Sequence, residues 1–290
     1  TYGTSPTNTT LTIRYYTGGG VASNVESGTI TNLNTTNVNF IKSGLNPTTA
    51  DTIFNSLAST NQRAASGGQD GDTLEEIRQN SISNFPTQLR NVTQDDYLVR
   101  ALSMPPKFGI ISKAWTQKPE ADTANTTLDL YVLSTNANNK LTTASDGLKQ
   151  NLKTYINEYR MIGDTISIKD AFVINYGVNF EIITYPNFNN NIVLQECIND
   201  IKAYFSIDRW QINQPIIEAD VMVLLDRING VQTVKKLTFT NLAGIAKGYS
   251  QWAYDMDAAN QNGTIFPSLD PSIFELKFPN NDITGRVVVL

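Results

Sequence analysis

Phe172-Val173-Ile174-Asn175-Tyr176-Gly177-Val178-Asn179-Phe180-Glu181-Ile182 is the cleanest alternation in the chain. Successive side chains of a strand point to opposite faces. Phe172, Ile174, Tyr176, Val178, Phe180 and Ile182 therefore share one side, and Val173, Asn175, Gly177, Asn179 and Glu181 share the other. This reads as a long half-buried strand with one wet side, which belongs in a largely antiparallel sheet covered on one face by helices.

The flanks fit that reading. Upstream, residues 108–115 and 128–133 are candidate strands separated by a polar loop. Leu148, Leu152, Tyr155, Tyr159 and Ile162 then recur at helical spacing up to Gly163. Downstream, Leu194, Cys197, Ile198, Ile201 and Phe205 line one helix face. Pro215 suits the first position of a second helix with Ile217, Val221, Leu224 and Ile228 as its stripe. Asn229-Gly230 stops that helix, and residues 231–239 form a strand. Residues 106–240 are thus an α+β sandwich region with mostly antiparallel sheet.

Residues 49–105 read as a helical segment. Ile53, Phe54 and Leu57 make a short stripe, and two helices follow with their own caps. Asp72 caps the first with Glu75 at the third helical position, and Thr93 caps the second with Asp96 there, each cap worth about 1 kcal/mol. Pro105-Pro106 ends the second helix. Residues 1–48 read as β-rich. Leu11, Ile13 and Tyr15 alternate with Thr12, Arg14 and Tyr16 before Gly18-Gly19-Gly20, and further strands are expected at 29–33 and 38–41. Residues 241–290 show no sustained period and are expected to form an extended C-terminal arm lying on something else.

Composition narrows the function. The chain has 290 residues, 40% hydrophobic and 17% charged, with a net charge of −5, so a broad basic face for nucleic acid is not indicated. No apolar run reaches the ~18–20 residues that cross a bilayer. Cys197 is the single cysteine, which leaves no intrachain disulfide and no cysteine metal cluster. Histidine is absent, and with it go Ser-His and Cys-His nucleophile pairs and the usual zinc sites. A chain that begins at Thr1 without methionine is expected to be a fragment or a processed product.

Several stretches carry a family resemblance. Ser66-Gly67-Gly68-Gln69-Asp70-Gly71-Asp72-Thr73-Leu74-Glu75-Glu76-Ile77-Arg78, followed by Arg90-Asn91-Val92-Thr93-Gln94-Asp95-Asp96-Tyr97, resembles the signature of the baseplate J-like family of contractile phage tails and related injection machines. Asn24-Val25-Glu26-Ser27-Gly28-Thr29-Ile30-Thr31 looks like the strand that precedes this turn in the family. Trp210 to Pro215 and Ile228-Asn229-Gly230-Val231 resemble its C-terminal region, so the match spans about residues 10–240. Pro267-Ser268-Leu269-Asp270-Pro271-Ser272-Ile273-Phe274-Glu275 is similar to the wedge subunits of T4-like contractile-tailed phages.

The resemblance implies a structural part without substrate or cofactor, located in the tail baseplate of a virion and assembled in the bacterial host cytoplasm. It implies pairing with copies of itself and with other baseplate wedge proteins, in a ring that survives a large rearrangement. By the same resemblance, the longer N-terminal part of the large-phage version is expected to lie outside this sequence. Gly18–Gly20 and Pro105-Pro106 are the candidate joints. A carbohydrate-binding tail or receptor module is the alternative, and a hydrolase a third reading.

Individual residues bear on those readings. Gly67-Gly68 before a helix resembles a phosphate cradle, but the loop lacks the P-loop lysine and is crowded by Asp70, Asp72, Glu75 and Glu76. Those acids lack EF-hand spacing. Glu75/Glu76 and Asp95/Asp96 look like glycosidase pairs, yet adjacent helical carboxylates diverge by about 100° and favour a helix N-terminus. Cys197 falls in an apolar stripe and reads as a small buried hydrophobe. The candidate interface residues are aromatic: Tyr15, Tyr16, Tyr249, Trp252, Tyr254 and Phe266. No catalytic, cofactor-binding or metal-binding residue is expected, nor any nucleic-acid partner or membrane insertion.

Overall fold

The computed structural model describes residues 7–10, 12, 17–34, 38–41, 43–85, 90–119 and 127–288. Helices α1 (Pro47–Asn55), α2 (Leu74–Asn84) and α3 (Gln94–Leu102) come first. Strands β1 (Lys113–Gln117), β2 (Thr127–Thr135) and β3 (Leu141–Thr142) follow, with helix α4 (Asp146–Asn157) and strand β4 (Thr165–Asp170) after them. The second half holds β5 (Phe172–Thr184), α5 (Asn190–Tyr204), β6 (Ile216–Ile217), α6 (Glu218–Asp226) and β7 (Val231–Asn241). It closes with α7 (Met256–Ala259), β8 (Asn260–Gln261), β9 (Thr264–Ile265), β10 (Ser272–Glu275), α8 (Pro279–Asp282) and β11 (Ile283–Val287). This is an α+β fold, as the periodicities imply.

Two cores hold it together. In the first, β2 runs between antiparallel β1 and parallel β4, and α3 and α4 close over Leu128, Leu130, Val132 and Ile166. In the second, β5 is the central strand, antiparallel to β7 and parallel to both β10 and β11. Helices α5 and α6 bury Val193, Cys197, Ile201, Val221 and Leu225 against Ile174, Tyr176, Val178, Phe180 and Ile182. Tyr176 lies at the centre, edge-on to Phe205 at 5.4 Å and to Phe274 at 6.1 Å. Leu133 and Leu141, from the first sheet, pack into this second core.

The other face of β5 is wet only along its second half. Asn179 and Glu181 stay partly exposed, with Thr284 hydrogen-bonded to Asn179 and Arg286 paired to Glu181 at 2.5 Å. Val173, Asn175 and Gly177 are buried instead. The chain's own last fifty residues supply the cover. Asn175 Oδ1 accepts from Ser250 N at 2.7 Å, its carbonyl accepts from Leu242 N at 2.9 Å, and its Nδ2 donates to Glu275 Oε2 at 2.8 Å. A Cβ on Gly177 would stand 3.0 Å from the Asp282 carbonyl, so glycine permits that approach. What the expected arm lies on is therefore β5, to which it adds β10 and β11.

Other expectations are corrected. Residues 29–33 and the described 38–41 are irregular backbone, not strands. Their polar groups are taken by side chains: Asn61 accepts from Ile30 N at 3.0 Å and donates to the Glu26 carbonyl at 2.8 Å, and Ser59 donates to the Ile30 carbonyl at 3.1 Å. Asn and Ser side chains that bond nearby backbone compete with sheet ladders in this way. The strand expected over residues 11–16 lies mostly outside the described residues. Residues 106–108 form a 3-10 turn, so the first strand starts at Lys113 rather than 108. Pro215 precedes a strand rather than opening a helix, because Ile216 and Ile217 pair with β9 and α6 starts at Glu218.

Candidate functional site

Two of the resemblance-bearing stretches, residues 24–31 and 66–78, meet at the glycine turn before α2. The N-cap of α2 is Thr73 rather than Asp72. Thr73 N–H donates to Glu76 Oε2 at 2.7 Å and the Thr73 hydroxyl accepts from Glu76 N at 3.4 Å, a reciprocal capping box. In this register Glu76 is the residue that reaches back to the cap, and Glu75, one position earlier, pairs with Arg78 instead. The Thr73 hydroxyl and amide hold the Glu76 carboxyl below its usual range. In α3, Thr93 and Asp96 form the expected box, with Thr93 N–H donating to Asp96 Oδ2 at 2.8 Å.

Upstream of that cap the backbone is pinned by Asn24, only 2% exposed. Its Nδ2 donates to the Gly68 carbonyl at 2.7 Å and to the Thr135 carbonyl at 3.1 Å, while its Oδ1 accepts from Gly68 N at 2.7 Å. One side chain thus joins the stretch at residues 24–31, the glycine turn and the end of β2. The turn is closed from the other side by Ile110 N–H, which donates to the Gly67 carbonyl at 2.8 Å. A Cβ on Gly68 would meet the Gly20 carbonyl at 2.5 Å and Asn24 Oδ1 at 2.8 Å, and Gly67 sits at φ +99°. Both glycines answer to geometry rather than to a ligand: the amide a phosphate would need on Gly68 already donates to Asn24.

A cleft of about 1030 Å³ opens beside the turn, lined by Gly18 to Gly20, Asn24, Asp70, Asp72, Ile77 and Lys107 among others. Asp70 accepts from Val21 N at 3.3 Å. Among the described residues no group of histidine, cysteine and acidic side chains is placed to hold a metal. The paired acids are occupied at helix starts: Glu75 by Arg78, Glu76 and Asp96 by their caps.

The aromatic candidates divide. Tyr15 and Tyr16 lie outside the described residues. Tyr249 donates to Asp282 Oδ1 at 2.6 Å and stacks edge-on to Phe278 at 5.4 Å. Burial, with that carboxylate beside it, pushes its hydroxyl up to about 12. Tyr254 donates to the Phe266 carbonyl at 2.7 Å and packs on Phe274. Trp252, 43% exposed, stands edge-on to Phe172, and Phe266 is 44% exposed. The four are spread along the arm and do not join the glycine turn.

Three residues carry structural roles that the sequence does not assign. Asn24 opens a resemblance-bearing stretch, but nothing local gives its side chain a partner. Lys113 is buried, with Nζ donating to the Asp208 carbonyl at 3.3 Å, and burial pushes its ammonium down to about 8. Glu275, 2% exposed, accepts from Leu141 N at 2.8 Å across to the first sheet, and burial raises its carboxyl. The largest exposed apolar side chains outside the arm include Leu74, Ile77 and Ile82 of α2 and Phe85 just after it, and α2 has no buried residue among its described side chains.

No family profile matches the chain, and no curated protein does. Among solved structures, a chain of the anti-feeding prophage baseplate, a six-fold symmetrised cryo-EM structure, is similar over 76% of this chain at 11% identity and a TM-score of 0.43. The match covers 46% of that chain, so the present one spans under half its length. A similarity of that size assigns neither a family nor a role.

Proposed function

We propose that this chain is a structural subunit of a contractile tail baseplate, a wedge or ring component without catalytic activity. It acts by holding copies of itself and other baseplate wedge proteins at fixed spacing, at the tail of the virion. The observation that carries this reading is the corner built by Asn24. Residues 24–31 and the glycine-rich stretch at 66–78, both quoted for the resemblance, are bonded to each other through Asn24 and Gly68, and Asn24 ties them to β2 at Thr135. Residues that would be spent on a ligand in an enzyme are spent here on rigidity. The bonding of the turn serves to present α2, whose apolar side chains are exposed.

Sedimentation velocity over a wide concentration range tests the reading. A mass that rises with concentration, with no binding on a glycan array, supports an assembly part. A monomer at every concentration that binds glycans would replace it with the carbohydrate-recognition reading.

A further inference from the structure

The chain holds two Asn-Gly pairs, Asn229-Gly230 and Asn262-Gly263. In such a pair the glycine nitrogen can attack the asparagine side chain, because no Cβ on the glycine hinders the approach. The two pairs sit in different surroundings. Asn262 and Gly263 form the tip of the β8–β9 hairpin, at φ +54° and +81°, the left-handed pair of a type I′ turn. Behind the tip, Asn260 pairs with Ile265 and Gln261 with Thr264, and the hairpin goes no further. Asn262 is exposed, and a Cβ on Gly263 would find nothing nearer than Glu218 Oε2 at 3.8 Å. Gly230, by contrast, is buried. A Cβ there would meet Val193 Cγ2 at 2.7 Å and the Phe188 ring at 2.8 Å, and its carbonyl accepts from Tyr185 N at 3.0 Å.

One side chain holds the hairpin tip. Gly263 N donates to Asn260 Oδ1 at 2.9 Å, and Asn260 Nδ2 donates to Glu218 Oε1 at 2.8 Å. Glu218 N in turn donates to the Gly263 carbonyl at 2.9 Å. Asn260 therefore keeps the proton on the nitrogen that would react. Ring closure onto Asn262 also needs the turn to open, because a cyclic imide fixes a backbone angle at Asn262 that a type I′ turn does not have.

We propose that Asn262 is the site at which the folded chain deamidates, with Asn260 as the brake, and that the product loosens the β8–β9 hairpin. The Gly263 nitrogen gives its proton to solvent and forms a bond to Asn262 Cγ. The Cγ–Nδ2 bond breaks, and Nδ2 takes up a proton and leaves as ammonia. Water then opens the cyclic imide at either carbonyl, so nothing is oxidised or reduced. One opening leaves aspartate. The other leaves isoaspartate, which routes the backbone through the side-chain carbon and lengthens the tight turn by one atom. Strands β8 and β9 then lose their register, and Glu218 N loses the Gly263 carbonyl. Either product adds a negative charge near Glu218. Local opening sets the rate: fraying this short hairpin costs far less than lifting Gly230 from between Val193 and Phe188, so the reaction concentrates at Asn262. The proposal concerns the C-terminal arm alone and stands or falls apart from the assembly reading.

Peptide mapping by mass spectrometry tests it, on the folded chain held at mildly alkaline pH and on the same chain in urea. In the folded chain Asn262 is expected to react about tenfold faster than Asn229, the factor that an opening cost lower by ~1.4 kcal/mol gives. In urea the two rates should converge. Asn260→Ala should raise the Asn262 rate several-fold and leave the Asn229 rate alone, which also reports that the chain stays folded. In deamidated protein the amides of Glu218 and Phe266, which donate to the Gly263 and Ala259 carbonyls, should lose hydrogen-exchange protection. Equal rates at the two pairs in the folded chain, or a faster Asn229, overturn the assignment. An Asn262 rate unchanged by Asn260→Ala overturns the brake, and full protection of both amides in the deamidated protein overturns the loosening.

Discussion

Asn24 and Gly68, 44 residues apart, exchange two hydrogen bonds: Asn24 Nδ2 donates to the Gly68 carbonyl and Gly68 N–H donates to Asn24 Oδ1, both at 2.7 Å. The amide side chain acts as a stand-in for a strand neighbour, satisfying both backbone groups of a residue that belongs to no sheet. Asparagine is the residue for this because it has a donor and an acceptor on one planar group.

Asn24→Ala should cost about 2–4 kcal/mol, because a partly buried N–H and carbonyl each lose their partner at ~1–3 kcal/mol. Asn24→Asp keeps the acceptor but sets a carboxylate against the Gly68 and Thr135 carbonyls, and should destabilise at least as much. Urea unfolding with unchanged slope checks both. A midpoint shift of under half a unit of the expected energy would mean the turn is held elsewhere.

The two capping boxes should behave differently. Helix α3 buries Tyr97, Arg100 and Ala101, so Thr93→Ala is expected to cost about 1 kcal/mol of global stability. Helix α2 packs so little that Thr73→Ala should fray it locally, lowering helical circular dichroism while leaving the global midpoint within about 0.5 kcal/mol. Equal global losses from both would show that α2 is part of the cooperative fold.

Lys113 makes a signed prediction for alkaline pH. Burial lowers its ammonium from 10.5 to about 8, with Asp208 and Glu76 pulling the other way. Between those values the unfolded chain binds the extra proton, so stability should climb as pH rises from about 8 towards 10.5 and then level off. Lys113→Met should abolish the climb and stabilise the protein at pH 7 by about 1–3 kcal/mol. Parallel pH profiles of the variant and the parent would contradict this.

Glu275 acts at the acid end. Its raised carboxyl comes from burial, which outweighs the help of Leu141 N–H, Asn175 and the charges of Lys277 and Lys140. A raised folded value adds stability that is present at low pH and lost as pH rises through it, so the affected window lies just above the ordinary 4.5. Glu275→Gln should flatten that window. It should also cost about 1–3 kcal/mol overall, since one of the two donors, Leu141 N–H or Asn175 Nδ2, then faces an NH₂ group. Denaturation midpoints measured through the window for both proteins decide it.

Local rules made much of this fold readable. Thr93 and Asp96 announce the start of α3, the stripe through Cys197 and Ile201 announces α5, and the alternation after Phe172 announces β5. Each is written in residues within a few turns of each other. What stayed hidden is long-range. The cover over Asn175 comes from Ser250 and Glu275, and β10 and β11 join β5 in parallel, a pairing that leaves no hairpin signal in the sequence. Pro215 satisfies helix-start chemistry, but pairing of Ile216 with Ile265 overrides it. The site was half legible: Gly67, Gly68 and the caps stood out, whereas Asn24 acquires its role only through a contact 44 residues away.

The most direct test of the central claim is electron microscopy of contractile tail particles from the source of this chain, decorated with an antibody fragment raised against it. Label confined to the baseplate end, repeated around the tail axis, is the predicted result. Particles that carry every other tail protein but no label, while the fragment binds free chain from the same preparation, would contradict it.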